Sequence, residues 1–343
     1  MNGGAIMTKT VIEVKDLKTY LYSASGVVKA VDGVSFSIES GKTLGIVGES
    51  GSGKSMTASS IIRLLPRNKG KIVSGTINFD GKDVLSLNKK ELLQFRGKDV
   101  AVIFQDPMSA LDPVFKVGDQ MVEMICAHQN ISKTEAKKKA IDALAKVGIP
   151  NPEKRMESYP YELSGGMCQR VIIAMAACKN PKLVIADEPT TALDVTVQAQ
   201  VLKLLKEMQS KLNNAILLIT HNLGIVWEMC DSVMVMYAGK TVEYATTKDL
   251  YTEPLHPYTW GLLDSIPKLS DENKTRLNAI PGTPPDLRLT GSCCNFYNRC
   301  PYVKEVCKEK VPPLIEIKEG HFVACHRQNF DERLEKGEVD KNE

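Results

Sequence analysis

Long apolar runs are missing from this 343-residue chain. No stretch approaches the ~20 residues that a membrane-spanning helix needs, so any membrane contact has to run through a partner. An excess of charge of either sign is missing too. The 44 Lys and Arg residues nearly balance 41 Asp and Glu, leaving a formal +3, and such a balance implies no electrostatic stripe for nucleic acid. The start, residues 1–9, has neither the apolar core nor the cleavage pattern of a secretory signal; a cytosolic protein is expected, beginning at Met1 or Met7. Internal repeats and low-complexity tracts are absent. What remains, 43% hydrophobic and 25% charged, is the composition of an ordinary globular protein of one large or two smaller domains.

Cysteine, by contrast, is plentiful. Cys126, Cys168, Cys178 and Cys230 are scattered, whereas Cys293, Cys294, Cys300, Cys307 and Cys325 crowd into a short C-terminal stretch. In a reducing compartment such a cluster favours a metal or a reactive thiol over a disulfide framework. Four thiolates without nearby oxygen ligands suit soft metals, iron–sulfur or zinc.

Val34, Phe36 and Ile38 alternate with Ser35 and Ser37, the period of a half-buried strand, with a turn at Gly41-Lys42. Thr43 to Val47 is a short apolar run of the buried parallel type, followed by a Gly-rich loop and a helix expected from Lys54 to about Leu65, stopped by Pro66. Asn78 to Lys82 reads as strand and turn. Ser132 and Glu135 form a capping box opening a helix that ends at Gly148 and Pro150. Leu183 to Ala186 and Ala215 to Ile219 read as further buried strands, and this alternation predicts an α/β fold with a parallel sheet. The interval from about Asp106 to Leu163 is mostly helical and interrupts it. From Pro254 prolines accumulate, which predicts a separate small region organised by cysteine ligation.

The loop Gly48-Glu49-Ser50-Gly51-Ser52-Gly53-Lys54-Ser55 fits GxxxxGK[ST] at every defined position. Its backbone amides should converge on phosphate oxygens at a helix N-terminus. Lys54 should reach the β- and γ-phosphates, and the Ser55 hydroxyl should bind Mg²⁺. Asp187 ends an apolar strand, which places a carboxylate where it can hold Mg²⁺, and Glu188 is the candidate general base for the attacking water.

The run Leu163-Ser164-Gly165-Gly166-Met167-Cys168-Gln169-Arg170 stands shortly before that strand. With the loop and the Asp-Glu pair it resembles the ATP-binding cassette (ABC) family, over roughly Val11 to Tyr244. The resemblance implies a P-loop core with a parallel sheet, an antiparallel β subdomain and a helical subdomain at about 106–165. It makes Gln105 the glutamine that senses the γ-phosphate and Mg²⁺, and His221 the switch histidine. Ser164, Gly165 and Gly166 would close on ATP held by a second cassette, with Asp194 lining that seam, so the active unit is a head-to-tail dimer. An aromatic is expected under the adenine; Tyr20 and Tyr22 flank its place and Tyr22 is taken. Asn222 stands where the family more usually has Asp.

Phe104-Gln105-Asp106-Pro107-Met108-Ser109-Ala110-Leu111-Asp112-Pro113, Tyr159-Pro160-Tyr161-Glu162, His256-Pro257-Tyr258-Thr259 and Arg299-Cys300-Pro301-Tyr302 are similar to the oligopeptide and dipeptide importer branch. That implies an ATPase domain at 10–253, a C-terminal region at 254–330 and a charged tail at 331–343. It further implies a [4Fe–4S] cluster on Cys294, Cys300, Cys307 and Cys325, with zinc as the alternative and His321 and His326 as non-ligands. The implied role is a peripheral protein on the cytoplasmic face of the cell membrane that hydrolyses ATP to power peptide import. Its implied partners are a second ATPase subunit in a heterodimer, two transmembrane permease subunits and an extracellular solute-binding protein reached through them, with no nucleic acid. The same motor in a nickel or other solute importer is the nearest rival. A DNA-repair ATPase is remote, because no sustained heptads lie between Lys54 and Asp187.

Overall fold

A computed structural model describes residues 9–191, 193–266 and 280–327. Ala192, the tail at 331–343 and the alternative starts lie outside the described residues. Strands β1 (Thr10–Ser23) and β2 (Gly26–Glu39) meet at a two-residue turn, and β2 buries Val34, Phe36 and Ile38 while exposing Ser35 and Ser37. Strand β3 (Thr43–Val47) is buried at every position, as expected of a strand covered on both faces. Helix α1 (Lys54–Ile61) follows and is shorter than the sequence predicts. Arg63 turns left-handed (φ 53°), and the amides of Arg63 and Leu64 bond back to the carbonyls of Ser60 and Ser59. This closing motif ends the helix before Pro66 is reached.

Next come β4 (Gly70–Phe79), β5 (Lys82–Asp83), α2 (Lys89–Gln94) and β6 (Val100–Ile103). The interval read as helical contains α3 (Pro107–Ala110), α4 (Val117–His128), α5 (Lys133–Lys146) and α6 (Pro152–Met156). The capping box at α5 forms: Glu135 N–H donates to Ser132 Oγ at 3.2 Å, and Ser132 N–H donates to Glu135 Oε2 at 2.9 Å. Then follow α7 (Gly165–Cys178), β7 (Leu183–Asp187), α8 (Val195–Leu212), β8 (Ala215–Ile219) and α9 (Leu223–Met229). The remainder comprises β9 (Ser232–Tyr237), β10 (Lys240–Thr246), α10 (Thr247–Thr252), α11 (Pro257–Asp264), α12 (Glu305–Glu309), β11 (Ile315–Lys318) and β12 (His321–Val323).

Two compact units interleave along the chain. The first takes Ser37–Thr43, Ile77–Ile219 and the chain up to Glu13. In it β6, β7 and β8 pair in parallel, Val100 opposite Leu183 and Leu183 opposite Ala215. Its helices bury Met121 and Ile125 from α4, Ala136, Ala140 and Leu144 from α5, and Val171 and Ile172 from α7. The second takes Val14–Phe36, Leu44–Thr76 and the chain from Thr220. There β9 pairs in parallel with β3 and antiparallel with β10, and β12 and β11 extend that sheet antiparallel beyond β10.

Part of the region expected at 254–330 packs into a core with β9 and β10, and Cys294 and Cys300 lie against that core. Tyr237, Tyr258 and Phe296 form a mutual aromatic cluster with ring centroids 4.6–5.4 Å apart. Glu243 of β10 is wholly buried and fully engaged: it accepts from the amides of Leu255 and His256 and from Thr259 Oγ1, and lies 2.9 Å from His321 Nε2. A buried carboxylate is tolerable only when its oxygens are satisfied in this way. Among the described residues no helix is long and apolar enough to cross a membrane.

Candidate nucleotide site

In the second unit the loop Gly48–Ser55 joins β3 to α1. Two glycines there are sterically required. A Cβ on Gly48 (φ 147°) would lie 2.2 Å from the Met236 carbonyl oxygen, and one on Gly53 (φ 106°) 2.2 Å from that of Ala30. The loop therefore packs its own backbone against β2 and β9 while Ser50, Gly51 and Ser55 face solvent. Lys54 is buried and donates to the carbonyls of Gly48 (2.7 Å) and Glu49 (2.9 Å), so its ammonium lies inside the arch of the loop. Ser52 is buried and its carbonyl accepts from the Gly239 amide.

Of the candidate adenine aromatics, Tyr22 is exposed, with the Lys71 ammonium 5.6 Å from its ring centroid. Tyr20 donates its hydroxyl to Asp32 Oδ1 at 2.8 Å. Burial and that hydrogen bond push the Tyr20 phenol up to about 12. His221 is exposed directly before α9. The Asn222 side chain caps that helix by accepting from the amides of Gly224 and Ile225. Asn and Asp serve about equally as N-caps, which accounts for Asn at a position where Asp was expected.

In the first unit Asp187 is the half-buried last residue of β7. Glu188 follows with a left-handed backbone (φ 46°), fixed by its amide bonding to the Ile219 carbonyl. Its Oε2 accepts from Gln105 Nε2 at 2.7 Å and from Thr191 Oγ1 at 3.0 Å. Gln105 itself lies just past β6, at the entrance to the helical interval. Ser164 caps α7 through its Oγ, which accepts from Met167 N–H at 3.3 Å, and Asp194 caps α8 by accepting from Val197 N–H at 2.9 Å. The two helix starts are neighbours, since a Cβ on Gly166 would lie 2.9 Å from Val197 Cγ1. Capping uses acceptor capacity and leaves each hydroxyl or carboxylate further hydrogen-bonding sites.

In the second unit Cys294, Cys300, Cys307 and Cys325 line one pocket with Phe296, Tyr302 and Arg327. Burial first, and then the neighbouring thiols, push Cys294 up to about 11 and Cys300 up to about 12. No carboxylate lines this pocket, and His326 Nε2 is bonded to the Lys310 carbonyl oxygen while His321 is committed to Glu243. Among the described residues, however, no three His, Cys, Asp or Glu side chains are gathered so as to hold one metal ion.

Three contacts have no signature in the sequence. Thr191 supports Glu188, and Tyr258 and Arg299 reach Glu49 of the loop from 209 and 250 residues away. Tyr258 and Arg299 stand in segments quoted above for their resemblance, yet nothing local marks either as a partner of the loop.

The pattern of the ABC transporter family matches residues 31–191, and that described as oligopeptide/dipeptide transporter, C-terminal region, matches residues 242–307. The oligopeptide transport ATP-binding protein OppD of Bacillus subtilis (strain 168) is 49% identical over 93% of this chain and 89% of its own length. OppD of Escherichia coli (strain K12) is 48% identical over 92% and 93%, and the dipeptide transport protein DppD of B. subtilis 48% over 95% and 96%. Among solved structures, the dimeric ATP-binding cassette MJ0796 bound to ADP and Pi shares the fold, with a TM-score of 0.63 at 24% identity over 69% of this chain and 98% of that one. The cbiO1 subunit of the Clostridium perfringens cbiONQ ABC transporter has a TM-score of 0.60 at 31% identity, over 71% and 92%. With an ATPase core of that fold, a matching C-terminal region and near-half identity to such relatives over nine-tenths of its length, the chain belongs to the ATP-binding subunits of ABC transporters, in the oligopeptide/dipeptide (OppD/DppD) family.

Proposed function

We propose that this chain binds and hydrolyses Mg-ATP as one half of a head-to-tail ATPase pair, a heterodimer, that drives peptides through a membrane permease supplied by an extracellular receptor. The observation that carries the reading is the 2.7 Å hydrogen bond from Gln105 to Glu188. The residue that leads into the helical interval holds the carboxylate expected to activate water, so movement of that interval and readiness for hydrolysis are physically linked.

The amides of the Gly48–Ser55 loop would bind the phosphates, with Lys54 turning from the loop carbonyls to the β- and γ-oxygens. Tyr22 would stack on adenine. Mg²⁺, held by Ser55, Gln105 and Asp187, would neutralise charge developing on the phosphates. Glu188 would take the proton of the attacking water, and His221 would contact the γ-phosphate. Ser164, Gly165, Gly166 and Asp194 would serve the nucleotide bound by the partner cassette, since helix N-termini favour anions. Permease docking on the helical subdomain at 106–165 and its approach is supported by the exposed apolar side chains of Phe104, Met108, Val114 and Phe115. The ATPase domain is assigned to 10–253 and the importer-specific region to 254–330, on the cytoplasmic face of the membrane.

In that last region Cys294, Cys300, Cys307 and Cys325 would hold a [4Fe–4S] cluster. Their place together in the lining of one carboxylate-free pocket supports it. Such a cluster would cross-link this region. The deciding experiment reconstitutes the chain with its partner ATPase, permease and receptor, and measures ATP hydrolysis with di- to pentapeptides or with Ni²⁺. Stimulation by peptides is expected; stimulation by Ni²⁺ alone removes peptide as the cargo.

A further inference from the structure

Glu49 is held at every polar group it has. Its amide donates to the Tyr258 hydroxyl at 2.8 Å, and its carbonyl accepts from Lys54 Nζ at 2.9 Å. Its carboxylate receives a two-pronged ion pair from Arg299, Nη1 to Oε2 at 2.6 Å and Nη2 to Oε1 at 2.9 Å. The Arg299 side chain is only 4% exposed, and that of Glu49 28%, which separates the pair from solvated surface contacts of negligible effect. The guanidinium is itself anchored: Nε donates to the Pro281 carbonyl at 2.8 Å, Nη2 also donates to that of Ile280, and Nη1 donates to the Tyr237 hydroxyl oxygen. A planar fork fixed on three sides dictates where the carboxylate lies. Arg299 directly precedes Cys300, so the residue that clamps the loop adjoins one of the four thiols.

We propose that Arg299 is a positioning residue for ATP binding: it clamps the phosphate loop through Glu49 and cancels a negative charge that would otherwise face the incoming phosphates. This rests on the reading of Gly48–Ser55 as the ATP loop. Preorganising a loop lowers the ordering cost of binding, and removing a like charge lowers the electrostatic cost. Both act on nucleotide affinity and leave the hydrolytic step to Gln105 and Glu188.

The test is the ATP dependence of hydrolysis by the assembled transporter. Arg299→Met should raise KM for ATP about tenfold with kcat within about twofold, the pattern of lost uniform binding. Glu49→Gln should raise it only a few-fold, because clamp and charge vanish together. The double variant should bind ATP better than Arg299→Met alone, the non-additivity expected of a pair that acts as a unit. If Arg299→Met does not accumulate as folded protein, Arg299→Lys, which keeps the charge but not the fork, should still raise KM several-fold. Unchanged KM in the folded single variants, or effects that multiply in the double, overturns the proposal even if thermal stability falls. Lys54→Ala separates the two readings. If it abolishes turnover while the Arg299 variants behave normally, only the clamp fails; if it too behaves normally, the ATP-loop reading fails.

Discussion

At the scale of single residues, Glu188 combines a strained backbone with a supported side chain. A non-glycine residue at φ 46° costs on the order of 1 kcal/mol, and here the Ile219 carbonyl, Gln105 and Thr191 hold it in place. Glu188→Gln keeps the shape and loses the basic oxygen. ATP should be retained while phosphate release slows by about 10²–10⁴-fold; ordinary turnover in the assembled importer would remove Glu188 as the base. Asp32 offers a pH-dependent case. Burial alone would raise its pKa, but hydrogen bonds from Lys240 and Tyr20, with the Lys240 and Lys29 charges, outweigh it and leave the carboxyl below its ordinary 3.8. A depressed acid contributes stability above the unfolded value and loses it as pH falls through the folded one. Asp32→Asn should therefore cost about 1–3 kcal/mol at pH 7. In urea melts the gap between variant and parent should close as pH falls below 3.8; a constant gap would show that shape rather than charge is responsible.

At the scale of elements, the start of α7 places a steric constraint beside a residue proposed to serve the partner's nucleotide. A Cβ on Gly165 meets nothing within 4 Å, whereas one on Gly166 would press on the stiff Val197 side chain of α8. Gly166→Ala should lower stability by about 1–3 kcal/mol through overpacking, and Gly165→Ala should melt like the parent. If Gly165→Ala nonetheless impairs ATP-dependent pairing of cassettes, the defect lies at the nucleotide seam; if it melts early, the open face at this residue has been misread. The same elements show how far sequence reaches. Strands β3, β7 and β8 were legible because each is a short, mainly apolar run, and α5 because its capping box lies within four residues. Strands β11 and β12 were not, since Ile315, Glu316 and Lys318 are largely exposed and the pairing that selects them runs through β12 to β10, with Val323 opposite Glu243 from far earlier in the chain. The early end of α1 escaped for another reason: a closing motif usually calls for glycine, and here Arg63 fills that role. At the candidate site, Lys54, Asp187 and Glu188 carried local motifs, but the contacts that hold Glu49 are purely tertiary.

At the scale of the whole molecule, each compact unit is assembled from separate stretches of chain. Non-local pairing of this kind slows folding, and with synthesis running from the N-terminus the phosphate loop emerges long before Arg299 can reach it. The thiol pocket belongs to the same late-arriving stretch. Protein purified without oxygen should be brown and contain iron with acid-labile sulfide; stoichiometric zinc without sulfide would replace the cluster assignment with a single-ion site. The position of β12 carries one more consequence. It covers the outer edge of β10, and His321 at its start supplies a partner to the buried carboxylate of Glu243. A polypeptide truncated after Lys310 would keep both family patterns matched above yet present an uncapped row of strand amides and carbonyls to its neighbours. Such a shortened product should clump edge to edge, so the described residues beyond Lys310 act as a guard against self-association.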